Sequence, residues 1–128
     1  MALRRHLSVL VVDDMAISRQ IMCATLESIG IAHVSSACDG RAALDRASRR
    51  VPDLVLSDLH MPGMDGVALL AAFRAGALTA SARFIVVTGL DTGPRLDEAW
   101  RLGLDALLLK PFDRARLLAV VEQATGRL

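Results

Sequence analysis

Tyrosine is absent, tryptophan occurs once and phenylalanine three times in 128 residues. Proteins that bind RNA or single strands stack bases on aromatic rings, so this shortage argues against that class. Cysteine is nearly as scarce. Cys23 and Cys38 are the only two; they build no disulfide scaffold, lack metal-site spacing, and are expected to be small packing residues. An excess of one charge is missing too, since 15 basic against 14 acidic residues leave a formal net charge of +1. Such a balance supplies no field for nucleic acid, a membrane or acidic partners. No apolar run nears the roughly 18–20 residues of a membrane span. The basic start Arg4-Arg5-His6 leads into an apolar stretch that meets Asp13 and Asp14 at once, which is no signal peptide. Apolar residues, in contrast, are plentiful at 53%, enough for a core and too many for a disordered chain. The length suits one domain at the usual allotment of about 100–200 residues. A single cytoplasmic domain spanning residues 1–128 is the expectation.

Short apolar runs alternate with longer amphipathic ones. Leu7 to Val12 is nearly all apolar and valine-rich, which predicts a parallel strand buried on both faces. Ile17, Ile21, Met22, Leu26 and Ile29 recur at helical spacing from Met15 to Ile29, and Gly30 stops that helix. Ile31–Ser36 is a weaker strand, and Asp39-Gly40 opens a helix through Ala42, Ala43, Leu44 and Ala47. Strand three is Asp53–Ser57, and helix three starts after Asp65-Gly66 with Val67, Leu69, Leu70 and Phe73. Strand four is Arg83–Thr88. Helix four begins at Pro94 and ends at Gly103, strand five is Asp105–Leu109, and helix five runs from Asp113 to Thr125 with Leu117, Leu118, Val121 and Ala124 inward.

Five βα units in succession predict an α/β domain: a doubly wound parallel sheet with helices on both faces. In such sheets the functional site lies beyond the carboxyl ends of the strands. Asp13 and Asp14 end strand one, Asp58 ends strand three, Thr88 ends strand four and Lys110 ends strand five. Three carboxylates, a hydroxyl and an ammonium therefore meet at one edge. Two like charges about 4 Å apart repel by about 4 kcal/mol at an effective dielectric near 20. A cation among them, or protonation, relieves this. With oxygen ligands and no Cys or paired His nearby, Mg²⁺ suits better than Zn²⁺. A hard divalent ion beside a lysine and a hydroxyl makes a phosphoryl site, where one carboxylate can serve as nucleophile and form an aspartyl-phosphate.

The pieces Val-Val-Asp13-Asp14, Asp58-Leu-His-Met-Pro-Gly-Met-Asp-Gly66, Val-Val-Thr88-Gly and Lys110-Pro111-Phe112, in this order and each at a strand end, resemble the receiver domain of bacterial two-component response regulators. The likeness runs from about Leu7 to Thr125. It implies a flavodoxin-like (βα)5 fold with strand order 2-1-3-4-5. It also implies that Asp58 accepts a phosphoryl group from phosphohistidine on a sensor histidine kinase. Asp14, Asp58 and the main-chain carbonyl of His60 would ligate Mg²⁺, with Asp13 acting mainly through a metal-bound water. Lys110 would pair with phosphoryl oxygens, Thr88 would swing its hydroxyl onto one, and Pro111 would follow a cis peptide. Asp65 is expected to cap helix three. On this reading the chain is a phosphoacceptor that catalyses only its own phosphorylation and dephosphorylation, and no organic cofactor is expected.

Taken singly, Asp13-Asp14 suits a helix cap, and Asp58 and Lys110-Pro111 suit turns; assembled, they carry the functional reading. The His60 side chain, His6, His33 and Arg4-Arg5 are expected to be solvated. The sequence also departs from the family pattern. Leu107 stands where receivers usually carry Tyr or Phe, so no ring is there to move with Thr88. Gly89 follows Thr88, and His60 and Leu90 occupy positions that in the family tune access of water to the acyl phosphate. For output, the resemblance points to a surface of Leu96, Trp100, Leu107 and Val120, an apolar patch, or else Trp100 covers the core edge beside Leu107. No further domain follows helix five, so a stand-alone, CheY-like receiver is expected, monomeric or weakly dimeric. Its partner would be a protein such as a flagellar motor switch, and Arg19 and the Phe73–Phe84 join fit that chemotaxis group. A phosphorelay shuttle or phosphate sink is the alternative. A haloacid dehalogenase-like phosphohydrolase needs a second Asp two residues beyond its nucleophile, where this chain has His60. A dinucleotide-binding fold needs a glycine-rich turn where Asp13-Asp14-Met15-Ala16 stands.

Overall fold

The computed structural model describes residues 6–90 and 92–126, so Arg4-Arg5 lies outside the described residues. In chain order the elements are β1 (Ser8–Val12), α1 (Ala16–Ser28), β2 (His33–Ala37), α2 (Gly40–Arg49) and β3 (Leu54–Asp58). Then come α3 (Gly66–Ala75), β4 (Arg83–Thr88), α4 (Pro94–Arg101), β5 (Ala106–Leu109) and α5 (Arg114–Thr125). All strand pairings are parallel and the order is β2-β1-β3-β4-β5, as the resemblance implied. Strand boundaries fall within a residue or two of those expected. β2 is shifted furthest, because it is the sheet's edge and its side chains alternate between exposed and half-buried until Ala37.

Alternation along the strands divides the core into two layers. Leu10, Val12, Val55, Phe84 and Val86 pack against α2, α3 and α4 through Ala43, Ala47, Leu70, Phe73, Leu96 and Ala99. Val9, Val11, Leu56, Ile85, Val87 and Leu108 pack against α1 and α5 through Met22, Leu26, Leu117, Val120, Val121 and Ala124. Each fully buried aliphatic side chain contributes about 1.5–3 kcal/mol of transfer free energy. Phe73 and Phe84 meet edge to face at 5.8 Å between centroids.

Three helices start on an aspartate whose side chain accepts from an amide of the first turn. These are Asp39 to Ala42, Asp65 to Ala68 and Asp113 to Arg116, each at 2.8 Å. Such caps satisfy amides that have no partner within the helix, and each is worth roughly 1 kcal/mol. α1 and α4 start on Met15 and Gly93 without a side-chain cap.

Two expectations about inward faces need correction. Ile17 and Ile21 of α1 are 72% and 58% exposed, while Met22, Leu26 and Ile29 are buried. At about 100° per residue, Ile17 and Ile21 form a separate stripe well round the helix from the buried one. Cys38 is exposed rather than packed, and Cys23 is half-buried. His6, His33 and His60 are exposed, as expected.

Candidate functional site

β1, β3, β4 and β5 end side by side because they are neighbours in register, so residues far apart in sequence share one edge. Asp13 follows β1 and is buried, its amide donating to the Ala37 carbonyl at 3.2 Å. Its Oδ1 accepts from the Met15 amide at 2.9 Å, and Arg19 Nη1 donates to its carbonyl at 2.8 Å. These bonds fix the turn into α1 and leave Asp14 exposed beside it. Asp58 is the last residue of β3. One carboxylate oxygen from each of Asp13, Asp14 and Asp58 lies within 4.8 Å of the others.

Lys110 follows β5, and its amide donates to the Thr88 carbonyl at 2.8 Å. Its ammonium Nζ stands 3.6 Å from Asp58 Oδ2, a long ion pair that leaves both groups able to take another partner. The Lys110–Pro111 peptide is cis. Thr88 is buried at the end of β4, and its hydroxyl accepts from the Leu90 amide at 3.2 Å. Burial pushes the Asp58 carboxyl above its ordinary value; Lys110 opposes that shift, and the neighbouring Asp13 adds to it. A carboxylate in this position gains from any added positive charge.

The backbone behind Asp58 is equally constrained. Ser57 Oγ donates to the Asp58 carbonyl at 2.9 Å. Gly66 lies against the same carbonyl so closely that a Cβ there would stand 2.5 Å from the oxygen. Its amide donates to the Leu59 carbonyl at 2.9 Å. Glycine is required at this position by close approach, not by its φ.

The donor set fits a magnesium ion. Oxygens around Mg²⁺ lie about 2.0–2.1 Å from it, so two of them are roughly 3–4 Å apart, and the three carboxylates need only a small closure. Their mutual repulsion opposes that closure until a cation sits among them, so an ion relieves a cost already present in the cluster.

The family model described as the response regulator receiver domain matches residues 9–122. The chain belongs to that family. Over 128 residues this receiver is 33% identical to the "Probable chemotaxis protein CheY" of Rhizobium etli, covering 100% of this chain and 99% of that one. Among solved structures it is similar to the Vibrio cholerae chemotaxis protein CheY4, with TM-score 0.86 and 30% identity over 92% of this chain and 98% of that one. It is also similar to the receiver domain of the Pseudomonas aeruginosa sensor histidine kinase PA1611, with TM-score 0.84 and 27% identity over 94% and 98% of the two chains. That structure holds a magnesium ion coordinated in its active-site cleft.

The expected output patch of the receiver does not assemble. Leu96 is 2% and Val120 0% exposed, and they lie in different core layers on opposite faces of the sheet. Helical spacing placed Leu96 and Trp100 together on α4, but it could not show which of them points inward. Leu107 is half-buried against the α2–α4 layer. Trp100, 47% exposed, is the part of the patch that remains at the surface.

Other features had no signal in the sequence. A cleft of about 740 Å³ opens beside the acidic cluster, with Asp58 and Lys110 in its lining and Met15, Ile17, Ile21 and Phe112 along it. The exposed stripe of α1 forms one of its walls. Across the β3–α3 connection, Arg95 of α4 grips Asp65 with two guanidinium nitrogens, at 3.0 Å from Nε and 2.6 Å from Nη2 to Oδ2. A pairing 30 residues apart follows from no local pattern.

Proposed function

We propose that this receiver accepts a phosphoryl group on Asp58 from phosphohistidine of a sensor histidine kinase. The observation that carries this reading is the Asp58 carboxylate held between two further carboxylates and the Lys110 ammonium 3.6 Å away. An Asp58 oxygen forms the new O–P bond as the N–P bond breaks and its electron pair leaves with the imidazole. Lys110 binds the phosphoryl oxygens, and Thr88 turns its hydroxyl from the Leu90 amide to one of them. Asp13, Asp14, Asp58 and the His60 carbonyl would hold Mg²⁺, which when bound neutralises charge on the phosphoryl oxygens. Asp58, Lys110 and Thr88 act on the receiver's own acyl phosphate only, so the protein is a phosphoacceptor rather than an enzyme for other substrates.

The apolar cleft beside Asp58 supports approach by a protein donor, since an isolated small phosphodonor has no need of exposed Met15, Ile17 and Ile21. The similarity to CheY proteins over nearly the whole of both chains supports output through a protein partner in a cytoplasmic chemotaxis-type pathway. No helix among the described residues is long and apolar enough to cross a membrane.

Incubation with acetyl phosphate and Mg²⁺, followed by mass spectrometry, tests the assignment. One phosphoryl group is expected on the wild type and none on a folded Asp58→Asn variant. Full labelling of that variant would overturn the choice of Asp58.

A further inference from the structure

α4 is held at its start by less than its neighbours are. Its N-cap, Gly93, offers no side chain to the first-turn amides, whereas α2, α3 and α5 each have an aspartate there. Leu96 and Ala99 anchor the helix in the core, but burial of two aliphatic side chains does not fix the direction of the first turn. Arg95 does. Its guanidinium forks onto both oxygens of Asp65 and also reaches Glu98 Oε1 at 2.6 Å, so the charge is shared by two carboxylates. A planar, multiply bonded guanidinium constrains orientation in a way that a point charge cannot.

The other end of this pair leads to the site. Asp65 also caps α3 through Ala68, so its carboxylate is fixed from two directions. The next residue, Gly66, lies against the Asp58 carbonyl with no room for a Cβ and is bonded to Leu59. A shift of the Asp58 backbone would press on Gly66 at once, and Gly66 follows Asp65, which the guanidinium joins to α4.

We propose that Arg95 is a positioning residue that links α4 to the backbone of the phosphorylation site, so that occupancy at Asp58 is reported to α4 through Gly66, Asp65 and Arg95 as well as through Thr88. The proposal rests on the phosphoacceptor reading and names a regulatory route out of that same site. Neither Arg95 nor Asp65 touches the place of the phosphoryl group. Their loss is therefore expected to spare the chemistry and blunt the response.

Trp100, five residues beyond Arg95 on the same helix and the only tryptophan, reports the response. Acrylamide quenching of Trp100 would be measured with and without beryllofluoride and Mg²⁺ in wild type, Arg95→Ala, Arg95→Lys, Asp65→Asn and the double variant Asp65→Asn/Arg95→Ala. Asparagine retains the α3 cap, so Asp65→Asn removes the charge without freeing the helix. The quenching change is expected to fall at least twofold in Arg95→Ala and Asp65→Asn and to be intermediate in Arg95→Lys. It should fall no further in the double variant than in Arg95→Ala, because the Arg95–Asp65 pair is already lost in each of those two single variants. Salt near 1 M, where screening acts over about 3 Å, should reduce the wild-type change and leave that of Arg95→Ala unaltered. Labelling of Asp58 by acetyl phosphate should stay within twofold in every variant. A labelled wild type with no Trp100 response, or an undiminished response in the single variants, or additive losses in the double variant, would overturn the link alone. Absence of label on the wild type would overturn the phosphoacceptor reading with it.

Discussion

The two ends of the sheet use aspartate in opposite ways. At the amino ends of the strands, Asp53 accepts from the Ser8 amide at 2.8 Å. Asp105 there accepts from the Phe84 amide at 2.7 Å and from Arg74 at 3.0 Å. Arg74 in turn donates to the carbonyls of Ala80, Ala82 and Gly103, which closes the long join from α3 to β4. At the carboxyl ends, Asp13, Asp14 and Asp58 crowd one another, and the ion pair of Asp58 with Lys110 is long. The first arrangement is stabilising because each carboxylate meets donors it would otherwise find in water. The second holds negative charge that is unmatched among the described residues, and on the phosphoacceptor reading a cation would neutralise it while Lys110 meets the phosphoryl oxygens. On that reading, stability and function are separated along the strands, over a sheet only four to six residues deep.

The strongest test of this contrast is at Asp105. Asp105→Ala leaves the Phe84 amide and the half-buried Arg74 guanidinium without that acceptor and should cost about 2–3 kcal/mol. That corresponds to a fall of about 10 °C in Tm, with phosphorylation of the folded fraction retained. A loss below about 0.5 kcal/mol would remove the distinction between the two ends.

Mg²⁺ should act in the reverse sense. At about 100 times its Kd, binding stabilises the folded state by about 2.7 kcal/mol, and Asp14→Ala should lose most of this. Thermal melts of both proteins across a magnesium titration give the comparison, and equal shifts would place the ion elsewhere.

A smaller effect is expected from Asp58→Asn. Burial and Asp13 raise the folded-state pKa of Asp58, so its charged form is penalised on folding. That penalty is fully present above the raised pKa and vanishes as pH falls below the unfolded value of about 3.9. With chelator present, Asp58→Asn should therefore be more stable than wild type at pH 7, and the gain should shrink on acidification through the raised pKa. Urea unfolding at several pH values measures it.

The smallest effect concerns Asp65. Burial raises its carboxyl, but hydrogen bonds from Arg95 and Ala68 and the guanidinium charge outweigh that, leaving it below its ordinary value. A lowered folded-state pKa gives stability that is present above about 3.9 and lost as pH falls through the folded value. For this partly exposed pair the contribution is about 0.5–1 kcal/mol. Arg95→Ala should show it at pH 7 and show none of it in stronger acid.

Much of this receiver was legible before folding, and for a definite reason. β1, β3 and β4 are short apolar runs, and the chemistry-bearing residues sit at the boundary where apolar sequence stops: Asp13, Asp58, Thr88 and Lys110. A parallel sheet brings all its carboxyl ends to one edge, so local boundaries alone predicted their convergence. The aspartates at Asp39, Asp65 and Asp113 were recognisable as helix starts because capping is a contact of three residues' span. The errors arose on the helices. Ile17 and Ile21 of α1 share helical spacing with true core residues yet face outward, while Leu96 and Val120 on α4 and α5, expected at the surface, are core residues themselves. Spacing does not say which stripe meets the sheet.

The sequence by itself thus determined the fold class, the strand order through its family motifs, and the residues of the acidic site, because each depends on local patterns repeated at strand ends. Tertiary structure alone decided the rest. Packing against two different sheet faces buried Leu96 and Val120 in separate layers and turned Ile17 and Ile21 outward beside the cleft. Contacts 30 and 31 residues apart joined Arg95 to Asp65 and Arg74 to Asp105. A guanidinium finds its carboxylate only after the backbone has brought the two within reach, and nothing in the local sequence around either arginine encodes that distance.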